Sequence, residues 1–108
     1  MVERLDTTFA ALADPTRRAM LASLAGGEKS IGELAAPHAM SFAGASKHVA
    51  LLERAGLIER RRDGRRHLCR LAAEPLREAD AWLAQWQRFW TDRLDALDRL
   101  ITEERTNG

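Results

Sequence analysis

The sequence predicts a mainly α-helical fold that carries one small β-hairpin and ends in a long helix. Two observations lead there. Asp63-Gly64 lies between two short β-prone runs, and this dipeptide is a strong sign of a tight hairpin turn. From Pro75 to about Glu104, apolar residues then recur every seven positions with no breaker between them. A chain of 108 residues fits one domain, 1–108.

Each element follows from local chemistry. Leu5, Phe9 and Leu12 fall at i, i+4 and i+7, one face of a short first helix. Asp14-Pro15 then supplies an N-cap and a proline at the first helical position of a second helix. Met20, Leu21 and Leu24 form its apolar side, and Gly26-Gly27 ends it. Ser30, with Glu33 three residues on, has the capping-box spacing for a short third helix bearing Ile31, Leu34 and Ala35. Pro37 limits that helix, and residues 38–41 form a turn. Ser41 caps a fourth helix from about Phe42 to Ala55, with Ala45, Val49 and Leu52 inward, and Gly56 stops it. Leu57 to Arg62 and Arg65 to Leu71 are the expected strands. With Asp63-Gly64 as the two turn residues, Arg62 faces Arg65, Arg60 faces His67 and Ile58 faces Cys69.

The last helix, from about 75 to 104, needs a partner. Leu76, Leu83, Trp90 and Leu97 repeat every seven residues, with Ala79, Trp86, Leu94 and Ile101 beside them. Trp82, Trp86 and Trp90 are spaced i, i+4, i+8. A long helix so apolar on one side requires a covering surface, and the short first helix is too small to supply it. A second copy of the chain is the simplest cover. The expected homodimer interface is Leu5, Phe9, Leu12, Leu83, Trp86, Trp90, Leu97 and Ile101. A pocket in that core is the candidate site for a small-molecule effector of unknown identity.

The third and fourth helices, about 30–55, have the order of a helix-turn-helix, and the hairpin at 57–71 follows as a wing. In that arrangement the second helix of the pair enters the major groove of double-stranded DNA. Its outer side offers Ser41, Ala43, Gly44, Ser46, Lys47 and His48. The small residues permit close approach, Ser46 and His48 can hydrogen-bond bases or phosphates, and Lys47 can neutralise a phosphate. The hairpin tip, Arg60-Arg61-Arg62-Asp63-Gly64-Arg65-Arg66-His67, groups five arginines around a two-residue turn. Such a tip is expected to repel itself unless a polyanion is near, and Arg62, Arg65 and Arg66 are its candidate DNA contacts.

These segments carry a family resemblance. Leu12-Ala13-Asp14-Pro15-Thr16-Arg17-Arg18 resembles the start of the second helix in the ArsR/SmtB family of bacterial regulators. Residues 40–58, from Met40-Ser41-Phe42 through Ser46-Lys47-His48 to Gly56-Leu57-Ile58, resemble that family's recognition helix and its exit into the wing. Asp63-Gly64-Arg65-Arg66, followed by Arg70-Leu71, resembles its wing. The resemblance implies a winged helix-turn-helix fold, a dimer built on the first and last helices, and repression of an operator relieved by a signal. Many members sense metals through clustered Cys and His, and this sequence departs from that pattern. Its third helix has no cysteine, its last helix has neither Cys nor His, and His38, His48, His67 and Cys69 are scattered. No metal site and no cofactor are expected.

Composition narrows the remaining classes. The net charge of +1 is unevenly spread, because residues 1–73 hold 12 basic against 8 acidic side chains and residues 74–108 hold 5 against 8. A basic body with an acidic end segment suits a nucleic-acid binder. A single cysteine, Cys69, excludes an intrachain disulfide and suits a reducing cytoplasm. On the hairpin it shares the inward face with Ile58 and Leu71, where a thiol behaves as a small hydrophobe. Neither a transmembrane run nor a signal peptide is expected, so no membrane partner is either. No nucleophile–base pair or phosphate loop suggests an enzyme. The alternative reading is a winged-helix module that binds protein without DNA, which a steep salt dependence of duplex binding would separate from the first.

Overall fold

The structure is a computed structural model that describes residues 2–107. Its elements run in the order α1 (Val2–Leu12), α2 (Pro15–Leu24), β1 (Lys29–Ser30), α3 (Ile31–Ala35), a 3-10 turn (Ala36–His38), α4 (Phe42–Arg54), β2 (Ile58–Asp63), β3 (Arg66–Leu71) and α5 (Glu74–Asn107). The helix starts expected from the sequence are present with their caps. Asp14 accepts from the backbone N–H of Arg17 at 3.0 Å. Ser30 and Glu33 satisfy each other's backbone N–H at 3.1 Å, which closes the capping box. Ser41 accepts from Gly44 N–H at 3.0 Å.

The core lies between α2, α3, α4 and the sheet. Met20, Leu24, Ile31, Leu34, Ala45, Val49, Leu52, Leu57, Ile58 and Cys69 are all buried there. Around it, the three strands form an antiparallel sheet in the order β1-β3-β2. β1 was not foreseen. It is two residues long, and only its pairing with β3, Lys29 against Cys69 and Ser30 against Leu68, defines it as a strand.

The hairpin register differs from the expected one. Asp63 pairs with Arg66, Arg62 with His67, Arg60 with Cys69 and Ile58 with Leu71, so the two turn residues are Gly64 and Arg65. The cause is the turn chemistry. A turn centred on Asp63-Gly64 needs positive φ at both residues, whereas only Gly64 has it, at 64°. Glycine at the first central position gives the other favoured two-residue turn, type II′. The shift is by two residues on one strand, so side-chain alternation is preserved. Ile58 and Cys69 are therefore buried as expected, with Leu71 half-buried beside them.

α5 leaves this body. It packs on α1 only near its start, where Ala79 is buried, the Phe9 and Trp82 ring centroids are 5.8 Å apart, and Arg4 Nε lies 2.9 Å from Glu78 Oε2. Beyond that, residues 80–105 are exposed. The 34 residues of α5 span about 51 Å at 1.5 Å per residue. The radius of gyration, 19.6 Å, accordingly exceeds the roughly 13 Å of a compact chain of this length.

Leu52 has no exposed surface and sits where α4 meets the rest of the core. Leu52→Ala should lower the unfolding free energy by about 2–5 kcal/mol, measured by chemical denaturation. A loss under about 1 kcal/mol would mean that the α4 packing is looser than described.

Candidate nucleic-acid interface

Burial of Ala45, Val49 and Leu52 sets the roll of α4, and the opposite side of the helix faces out. On that side Ser41, Ala43 and Lys47 are exposed, and Gly44, Ser46 and His48 are partly so. The Ser41 hydroxyl is occupied as the N-cap. A Cβ on Gly44 would sit 3.3 Å from it, which is tight, so glycine leaves room for the cap. Sequence reasoning passed over Phe42. It is the first residue of α4 and is 60% exposed, an aromatic surface at the leading end of the helix. Helix spacing hid that exposure, since Phe42 falls in register with Ala45, Val49 and Leu52 and emerges only because it opens the first turn of the helix.

His48 is less free than expected. Its Nδ1 lies 3.4 Å from Nη1 of Arg17 and 3.9 Å from Oδ2 of Asp14, both at the start of α2. The Arg17 guanidinium turns towards α1, where Nε and Nη2 donate to the carbonyls of Ala11 and Ala10 at 2.7 and 3.1 Å. Arg18 donates to the carbonyl of Leu12 at 2.7 Å. The two arginines thus satisfy carbonyls at the end of α1 that no further helical turn could reach. Asp14 is held below the usual carboxylate range, chiefly by the Arg17 backbone N–H and also by the nearby charges of Arg17 and His48.

The wing is also more internally balanced than its sequence suggests. Arg61 grips Glu28 through two hydrogen bonds of 2.8 and 2.9 Å. Arg60 reaches Glu53 and Arg66 reaches Glu33, each at 2.9 Å, while Arg70 pairs with Glu59. The expected self-repulsion of the five tip arginines is therefore largely relieved within the chain. Among the described residues, Arg62 and Arg65 have no carboxylate partner, and both are exposed. Glu28 is lowered mainly by its hydrogen bond from Arg61, and Glu33 mainly by the backbone N–H of Ser30. Cys69 is buried, and loss of solvation raises its thiol, which disfavours the reactive thiolate.

The expected interface residues of the first and last helices are distributed unevenly. Leu83, Trp86, Trp90, Leu97 and Ile101 are exposed on α5. Leu5 and Phe9 are half-buried, and Leu12 packs against the core of its own chain. Phe89 and Leu100, outside the expected set, are exposed on the same helix. His38, His67 and Cys69 lie on the 3-10 turn and β3, apart from His48 on α4. Among the described residues, no group of three or more His, Cys, Asp or Glu side chains could hold a metal ion, and no helix is long and apolar enough to cross a membrane.

A family model described as a helix-turn-helix domain matches residues 12–61. Over 99 residues the chain is 36% identical to the HTH-type transcriptional regulator Rv2034 of Mycobacterium tuberculosis, covering 92% of this chain and 90% of that protein. The crystal structure of an ArsR family transcriptional regulator, RHA00566, superposes with a TM-score of 0.78 at 41% identity, covering 84% of this chain and 94% of that one. The solution structure of a homodimeric winged helix-turn-helix DNA-binding domain, Mb0332 of Mycobacterium bovis, superposes with a TM-score of 0.64 at 29% identity, covering 87% and 84%.

The lowered carboxylates give the wing a pH signature. Because the folded values of Glu28 and Glu33 lie below the unfolded ones, their contribution to stability is full above the ordinary glutamate range. It is lost as the pH falls through the lowered values. Glu28→Gln should therefore melt slightly below wild type at neutral pH, and the gap should close as the pH falls below the ordinary glutamate range. A constant gap from pH 7 to pH 3 in thermal melts would contradict this account.

Proposed function

Given that the chain belongs to the ArsR family of winged helix-turn-helix transcriptional regulators, we propose that this DNA-binding regulator works as a homodimer that occupies a double-stranded operator and represses transcription until a signal releases it. The observation that carries the reading is the selective charge balance of the wing. Carboxylates of the same chain neutralise Arg60, Arg61, Arg66 and Arg70, while Arg62 and Arg65, exposed at the tip of the wing, stay uncompensated. Two free guanidinium groups at a hairpin tip suit phosphate contact or a narrow minor groove.

On α4, Ser46, Lys47 and His48 are the side chains offered to base edges and phosphates, while Ser41, Ala43 and Gly44 allow close approach. Phe42 adds an apolar surface suited to a thymine methyl group. Arg66 is a secondary contact, since reaching a phosphate means sharing or breaking its pair with Glu33.

Dimerisation follows from the uncovered face of α5. Leu83, Trp86, Trp90, Leu97 and Ile101 remain in water on one chain, and burying each such side chain is worth about 1.5–3 kcal/mol. Leu5 and Phe9 extend this surface onto α1, and Leu12 adds only its remaining exposed edge. The homodimeric Mycobacterium bovis neighbour supports the same assembly. Two-fold symmetry would set the two recognition helices about 34 Å apart, one turn of DNA. Repression by such a dimer is steric, because a bound dimer denies the same duplex to other proteins.

Light scattering at micromolar concentration should give a dimer, and Trp90→Glu should shift it towards monomer. A wild-type monomer would defeat the assembly.

Duplex titrations at several salt concentrations test the reading itself, using a site selected from random duplexes. Arg65→Ala should weaken selected and random duplexes by similar factors and lower the salt slope by about one. Ser46→Ala should cost roughly 1–3 kcal/mol more on the selected site than on random DNA. Equal losses for Ser46→Ala on both would remove base reading from this side of α4.

A further inference from the structure

Arg17 joins three elements through one side chain. It lies on α2, donates to the carbonyls of Ala10 and Ala11 at the end of α1, and places Nη1 3.4 Å from Nδ1 of His48 on α4. We propose that Arg17 is a positioning residue for DNA reading, which holds the His48 imidazole in the tautomer that carries its proton on Nε2. This rests on the reading of α4 as the helix that contacts bases.

The argument is one of donors and acceptors. A guanidinium has five N–H donors and no acceptor, so the ring nitrogen it faces must offer a lone pair. That nitrogen is Nδ1, and the proton of the neutral ring is then on Nε2. Among the described residues Nε2 has no hydrogen-bond partner, and the side chain is 23% exposed. An Nε2–H donor can be used by a phosphate oxygen or by an acceptor on a base edge.

Asp14 is the competing partner. Its Oδ2 lies 3.9 Å from the same Nδ1 and favours a proton there. With Arg17 removed, the carboxylate becomes the nearest charged partner of Nδ1. The proton moves to Nδ1, and Nε2 is left as a bare acceptor facing a polyanion. Arg17 thus decides between two forms of the ring, and only one of them donates to DNA. Because the same guanidinium caps α1, the setting of His48 is tied to the position of the first helix.

The test combines ¹⁵N spectra of the His48 ring, recorded at about pH 8.5 where imidazoles are neutral, with duplex affinities. Arg17→Met should move His48 towards the Nδ1–H form. Arg18→Met should not, although it also loses a cap on α1, at the carbonyl of Leu12. Should Arg17→Met fail to fold, Arg17→Gln gives the same comparison, because its side chain is too short to span the distance. On the selected duplex, Arg17→Met and His48→Ala should each weaken binding about 5- to 10-fold. The double variant should bind no worse than His48→Ala alone, because the two changes remove one interaction. An unchanged His48 tautomer in a folded Arg17 variant would overturn the proposal, as would losses that multiply in the double variant. A wild-type protein with no preference among duplexes would instead remove the reading of α4, and this proposal with it.

Discussion

Ala45, Val49 and Leu52 lose all their surface on folding, and their spacing along α4 leaves the helix only one way to be turned. Met20 and Leu24 from α2, Ile31 and Leu34 from α3, and Leu57 and Ile58 from the start of the wing meet them in the same core. Rolling α4 by one residue would turn Val49 and Leu52 towards solvent and bury His48 in one direction or Ser46 and Glu53 in the other. The position of every outward side chain is thus fixed by packing on the far side of the helix. A surface for reading DNA needs this constraint, because a hydrogen bond to a base edge tolerates little error in position.

A second constraint is charge. Crowding five arginines around a hairpin turn would splay the strands or weaken the turn, and the chain answers with glutamates drawn from other elements. Glu28 and Glu33 come from the segment before the sheet and from α3, and Glu53 comes from α4. Singly, such exposed pairs contribute little to stability. Their effect is geometric, since together they brace the wing against α3, α4 and the segment before the sheet. Among the described residues, Arg62 and Arg65 make no ion pair with those glutamates.

The parts of the fold that depend on near neighbours could be read from the sequence. Asp14, Ser30 with Glu33, and Ser41 cap their helices through bonds three residues long, and the sequence places both partners side by side. The inward faces of α2, α3 and α4 were equally legible from apolar spacing. β1 was not, because two residues become a strand only when β3 arrives opposite them. The Arg61–Glu28 and Arg66–Glu33 pairs join residues 33 apart, and no local pattern announces them. The turn was misread for a different reason. Asp-Gly fits two turn placements, and what separates them is the sign of φ at the residue before glycine, here negative at Asp63. At the site, the outward placement of Ser41, Ala43 and Lys47 was legible, whereas the pairing of Arg66 but not of Arg62 or Arg65, and the contact of Arg17 with His48, needed elements distant in sequence.

α5 is the element that its own chain explains least. Past Trp82 none of the described residues covers it, yet its side chains are already arranged. Trp82, Trp86, Phe89 and Trp90 follow one another at ring distances of 5.4–6.3 Å, and Arg93 sits 4.4 Å from the Phe89 ring centre. Aromatic groups that restrain each other before association lose less freedom on being buried, so a prearranged ladder favours tight pairing. The same ladder runs back into the body, because Trp82 packs on Phe9 of α1 and Glu78 holds Arg4. From the end of α1, Arg17 continues the line of contacts to His48. The uncovered face of α5 and the outward side of α4 are therefore connected by contiguous contacts, with α1 as the middle link. In such an arrangement a change in how two α5 helices cross need not travel through the core to reach α4. It has only to tilt an eleven-residue helix whose last carbonyls share one guanidinium with His48.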